Sequence, residues 1–195
     1  MPQGTLAATS RYEHPTEYSA MIKHATASTF LFHRFPTEWR LGLIVHPRLG
    51  RHMVVGGHVE PDETPAAAAE REAVEESGRK VLLVPGPALG LPDGYPHRQV
   101  PAPWWITEID VPADNHLGEP HVHVDHQYVG VAESPHQVSE PAHPFAWVAE
   151  HELDSLLMFE DTRLLARSLF PHVTAIAASD GGAQLLRMLA GTSLS

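Results

Sequence analysis

Apolar and polar positions recur with different periods along this chain, and the changes of period mark its elements. Two apolar runs, 27–35 and 40–45, are bounded by Pro36 and Pro47 and predict strands joined as a hairpin across 36–39. Met53-Val54-Val55 predicts a short strand running into Gly56 and Gly57. From residue 64 the pattern turns helical. Thr64 suits the N-cap, Pro65 the first helical position, the alanines of 66–69 the helix body, and Gly78 the residue just past its end. Residues 80–84 predict another strand, and 85–103, rich in Pro and Gly, a long loop. Strands follow at 104–111 and 122–132. The second alternates, with Val122 and Val124 on one side and His121, His123 and Asp125 on the other. After an irregular stretch at 133–144 come a strand at 145–148 and helices at 150–157 and 161–169, the last with Leu164, Leu165 and Leu169 at helical spacing. Upstream, 17–25 predicts an amphipathic helix with Tyr18, Met21 and Ile22 on one side. Gly181-Gly182 interrupts the C-terminal region, whose last dozen residues predict a weak helix.

Strands, one helix, more strands and then helices predict an α+β fold with a mixed sheet packed between helices. The expected organisation is one domain over 27–170, an N-terminal extension with a short helix at 1–26, and a C-terminal helical extension at 171–195. A chain of 195 residues with 43% hydrophobic positions suffices for one sizeable core. It has no cysteine, which excludes disulfides and thiolate zinc sites and fits a reducing compartment. The N-terminus shows no basic stretch followed by an apolar run, and no segment has the length of a bilayer span. A cytoplasmic protein without a membrane partner is the expectation.

The net charge of −11 argues against nonspecific nucleic-acid binding, which needs basic stripes. It also repels phosphorylated ligands unless a bound cation inverts the local field. Protonation of all 15 histidines would carry the charge to +4, so solubility should be lowest on the mildly acidic side.

The sharpest chemistry lies on the predicted 65–77 helix. Glu72, Glu75 and Glu76, at i, i+3 and i+4, stack three carboxylates on one face. Such a cluster repels itself, so something positive should sit among them, and a hard divalent cation with oxygen ligands is the natural candidate. The pattern Gly57, Glu63, Arg71, Glu72, Glu75, Glu76 and Gly78 resembles the Nudix box at every charged and glycine position. Arg79 departs from it, standing where the family usually has Ile, Leu or Val in a packing role. The resemblance implies a Nudix-type α/β/α sandwich that hydrolyses a diphosphate bond in a nucleoside diphosphate linked to another moiety. It implies Mg²⁺ (or Mn²⁺) held by Glu72, Glu75, Glu76 and the carbonyl of Gly56, with metal-activated water attacking phosphorus. Arg71 would pair with a box carboxylate, and Glu63 would orient the turn into the helix. One of the three glutamates, or a carboxylate from a downstream loop, would take the proton from water.

Gly57, His58 and Glu60 in the glycine loop are candidate pocket residues, as is Trp147 among the aromatics Tyr95, Trp104, Trp105, Tyr128 and Trp147. His121-x-His123-x-Asp125 resembles a stretch in some Nudix proteins and places three potential ligands on one strand face, offering His123 and Asp125 to the pocket. A dedicated zinc site is not expected there, because same-face neighbours on one strand rarely complete a tetrahedron without outside ligands. A small-molecule phosphorylated substrate is the expected partner, and apolar positions near both termini leave room for a homodimer. The competing class is a Nudix-fold sensor that binds a nucleotide without cleaving it.

Overall fold

The computed structural model describes residues 21–114 and 116–179. Its strands are β1 (Lys23–Arg34), β2 (Trp39–Val45), β3 (His52–Met53), β4 (Val55–His58), β5 (Val81–Val84), β6 (Trp105–Val111), β7 (His121–Ala132) and β8 (Phe145–Ala149). The α-helices are α1 (Pro65–Ser77), α2 (Glu160–Leu169) and α3 (Val173–Ala178), and a 3-10 helix spans Glu150–Ser155. All eight strands join one sheet with a path β3-β2-β1-β7-β5, while β4 pairs with β1, β6 with β7 and β8 with β2. The long β1–β7 ladder, Lys23 opposite Val122 through Phe32 opposite Val131, is parallel. The other ladders are antiparallel, so the sheet is mixed.

The two faces of the sheet carry different side chains. Phe30 and Phe32 of β1, with Val129 and Val131 of β7, pack in the main core against Leu153 of the 3-10 helix, Ala166, Leu169 and Phe170 at α2, and Val173 and Ile176 of α3. The opposite face offers Ala27 and Tyr128 to α1, which answers with Ala66, Ala68 and Ala69. The alanines of α1, with Ala27 beneath them, bring the helix close to the sheet, and that proximity places its charged side chains over the strands. The result is the expected sandwich of helix layer, sheet and helix layer.

Three predicted elements differ, the first being the 53–55 strand, which is divided at Val54 between β3, paired with β2, and β4, paired with β1. Lys23, His24 and Ala25 lie in β1, not in a helix, because parallel pairing to β7 begins at Lys23. Met21 and Ile22 precede that strand as exposed, non-helical residues, and the rest of the predicted 17–25 helix lies outside the described residues. The last-dozen helix lies outside them as well. The predicted 150–157 helix is a 3-10 helix that stops at Ser155. Beyond it Leu156 turns extended, the carbonyl of Leu157 accepts from the His52 amide, and Met158 bridges to His52. Edge pairing with β3 thus competes with helical continuation and wins.

Candidate active site on helix α1

Local chemistry sets the position of α1. Thr64 is extended, and its hydroxyl accepts from the Ala67 amide at 3.2 Å. Pro65 occupies the first turn, and Gly78 closes the helix in the left-handed region at φ 70°. Beneath the helix, β4 carries no side chain at Gly56 and Gly57. A Cβ on Gly57 would overlap the Glu72 carboxylate, and one on Gly56 would meet the Ala27 carbonyl at 2.5 Å and the Ser28 Cα at 2.8 Å. Both glycines are needed for close approach.

Arg71 is the hub of the charged cluster. Its Nε and Nη2 donate to the Glu63 carboxylate at 3.1 and 2.7 Å, and Nη2 also donates to the His58 carbonyl at 3.0 Å. Its Nη1 donates to Glu72 at 2.8 Å and Glu75 at 3.2 Å. Glu63 in turn accepts from the Glu60 amide at 2.9 Å, tying the loop into the helix start. These bonds lower the Glu63 carboxyl pKa, with the Arg71 hydrogen bond the main cause, and raise that of Arg71. Something positive does sit among the carboxylates, and for two of them it is Arg71.

Glu76 is the exception. Its side chain is 13% exposed, accepts one bond from the Gly56 amide at 2.8 Å, and has no arginine partner among the described residues. Burial, reinforced by Glu72 and Glu75, pushes its carboxyl up to about 7 against the pull of the Gly56 amide. Beside it stands the imidazole of His143, whose Nε2 lies 3.4 Å from the Glu76 carboxylate. His143 arrives through the 133–144 segment, which docks on the end of α1. Val138 and Ser139 donate to the Gly78 carbonyl at 2.7 and 3.3 Å, and Ala142 donates to that of Glu75 at 2.9 Å. Carbonyls that the helix end leaves unpaired are satisfied by a distant loop.

The remaining candidates divide between two places. His58 belongs to a histidine cluster with His24, His116, His121 and His123. Its ring centroid lies 4.2 Å from that of His116 and 4.9 Å from that of His123. His121 is fully buried, and its Nε2 lies 3.1 Å from the His123 Nε2 and 3.8 Å from Asp114. Burial, then the neighbouring His58 and His121, lower His123 to about 4. Asp114 is held at about 2, first by the Leu117 amide. Asp125 stands apart: it is buried, and its carboxylate accepts from the hydroxyls of Thr26 at 2.9 Å and Ser28 at 3.0 Å. The structure therefore joins Asp114, and not Asp125, to the two histidines. Among the described residues, the trio of ligand-type side chains whose ligand atoms all lie within 4.8 Å of one another is Asp114, His121 and His123. The box carboxylates are spread by their bonds to Arg71 and Gly56.

The family model for the NUDIX domain matches residues 26–168. The chain belongs to this family. A Nudix hydrolase from Clostridium perfringens superposes with a TM-score of 0.58 at 22% identity, covering 77% of this chain and 97% of that one. An Ap4A hydrolase from C. elegans gives 0.54 at 15% identity over 78% and 99%. The dihydroneopterin triphosphate pyrophosphohydrolase of E. coli gives 0.50 at 12% over 77% and 99%. At these identities the likeness is one of fold. No curated protein matches the sequence.

Against the Nudix pattern, the departing position has a physical answer. The Arg79 guanidinium lies 3.9 Å over the Phe145 ring and 5.4 Å from that of Trp147, and its Nε donates to the Pro135 carbonyl at 2.9 Å. A flat cation on aromatic rings takes the place of an aliphatic side chain. Trp147 donates its indole N–H to the same carbonyl at 3.1 Å, so the structure uses it to hold the 133–144 segment. Tyr128 is buried under α1, Trp104 and Trp105 pack on the main core, and Tyr95 is exposed. His143 and Asp114 escaped the sequence reading. Each lies in an irregular segment, where no periodicity announces a side chain's neighbours.

Proposed function

We propose that this Nudix protein is a metal-dependent pyrophosphohydrolase acting on a nucleoside diphosphate linked to another moiety. The observation that carries the reading is the carboxylate trio of α1: Glu72 and Glu75 share Arg71, whereas the half-buried Glu76 accepts from the Gly56 amide and has no arginine partner among the described residues. An all-oxygen donor set with excess negative charge fits Mg²⁺ or Mn²⁺, with Glu72, Glu75, Glu76 and the Gly56 carbonyl as the residues that would hold it. When bound, such an ion supplies Lewis acidity toward the phosphate oxygens.

The chain's own residues do the rest. Arg71 and Glu63 brace the turn, and the Gly56 amide fixes one Glu76 oxygen. One of the three box glutamates would take the proton from attacking water, and the His143 imidazole, 3.4 Å from the Glu76 carboxylate, is placed to orient that side chain. Glu60 and Gly57 border the same turn and are the candidates for contact with a small phosphorylated substrate, whereas His58 meets Arg71 through its backbone carbonyl and its ring lies in the histidine cluster.

The test is a phosphate-release screen over nucleoside diphosphate and triphosphate derivatives with and without Mg²⁺ or Mn²⁺. Metal-dependent release from at least one compound is expected. Glu75→Gln and Glu76→Gln should lower turnover by orders of magnitude while remaining folded. Binding without release marks a sensor, and wild-type turnover in both variants refutes the site.

A further inference from the structure

On the face of the sheet opposite α1 lies a second ligand set that the hydrolase reading does not use. Facing partners of a ladder share a face. His24 is opposite His123, His58 is opposite Thr26, and Thr26 is opposite Asp125. These side chains therefore share the face of Phe30 and Phe32, away from the box helix. The connection from β6 to β7 brings Asp114 to them. Its Oδ1 accepts from the amides of His116 at 2.7 Å and Leu117 at 2.9 Å, while Oδ2 faces His121.

We propose that Asp114, His121 and His123 form a site for a borderline divalent cation, Zn²⁺ or a close d-block relative. Three observations carry it. First, the spacing: two donors on one tetrahedral ion lie roughly 3.4 Å apart, and the His121–His123 and His121–Asp114 separations of 3.1 and 3.8 Å bracket that figure. Second, the tautomer: His121 Nδ1 lies 3.0 Å from the Glu119 carbonyl, which can only accept. Nδ1 therefore carries the hydrogen, and in the neutral ring Nε2 presents a lone pair to Asp114 and His123. A ligating histidine anchored through its other nitrogen to a carbonyl is the usual arrangement in metal sites. Third, the surroundings: His24 Nε2 and His58 Nε2 are buried with no hydrogen-bond partner among the described residues. The His24 ring is 5.2 Å from that of His121, and His58 is 4.9 Å from His123. Either could complete the coordination. Mixed imidazole and carboxylate donors select a borderline ion over Mg²⁺, and the outside ligand that the strand alone lacks is Asp114. The site stands independently of the hydrolase reading.

The test strips metal from the full chain and titrates Zn²⁺ against a chromophoric chelator in excess Mg²⁺. One tight equivalent is expected in the wild type and in Glu76→Gln. Asp114→Asn and His123→Ala should each weaken it by roughly tenfold or more. Zinc-edge X-ray absorption of the loaded wild type should show at least two imidazoles on the ion, a readout that survives even if a variant fails to fold. No tight zinc, undiminished affinity in both variants, or an oxygen-only shell would overturn the site and leave an imidazole–carboxylate contact.

Discussion

Glu76 concentrates the conflict between stability and chemistry in one side chain. The unfolded chain loses this proton near 4.5, whereas the folded protein holds it to about 7. The folded state thus binds more protons between those values, and stability falls as pH rises through that window. The stability from this group is full below about 4.5 and gone above about 7, a swing on the order of 3 kcal/mol. Glu76→Gln keeps an acceptor for the Gly56 amide and removes the charge. In the metal-free protein at pH 8 it should raise the melting temperature by roughly 5 °C. Mg²⁺ should raise the wild-type value more than that of the variant. Parallel thermal melts at pH 5 and pH 8 check both, and equal melting at pH 8 would mean that Glu76 carries no such penalty.

Helix α1 and the segment 133–144 behave as one element, joined at Gly78. This glycine is in the left-handed region, and a Cβ there would overlap the Ser139 carbonyl. Gly78→Ala therefore adds backbone strain to a steric clash with a chain that crosses the helix end. A loss of about 1–3 kcal/mol is expected, measurable by urea denaturation. Because Val138 and Ser139 anchor to the Gly78 carbonyl, the clash should also displace His143 from Glu76, so turnover should fall further than that of an equally destabilised core variant. Helix α1 was legible in advance because its cap, first-turn proline and closing glycine are neighbours in sequence. Its partner segment was not, since its anchoring amides are backbone groups that carry no sequence signature. Nor was the start of β1, where polar Lys23-His24 hides a strand that exists only through β7.

At the scale of the whole molecule, acidity and histidine content set solution behaviour. The charge is −11 with histidines neutral and passes through zero as they protonate, near pH 5.7. Solubility should be lowest there and recover on either side, which turbidity against pH would reveal. Among the described residues no helix is long and apolar enough to cross a membrane.

What the chain determined by itself is local and periodic: the capped helix, the order of most strands, and the spacing that puts Glu72, Glu75 and Glu76 on one helical face. Backbone geometry translates such spacings directly into position. Tertiary structure decided the pairings, assigning Arg71 to two carboxylates and leaving the third to an amide and His143. It also exchanged Asp125 for Asp114 beside the histidines. Those choices depend on which loops cross which faces, and contacts between residues far apart in sequence follow from packing the entire sheet.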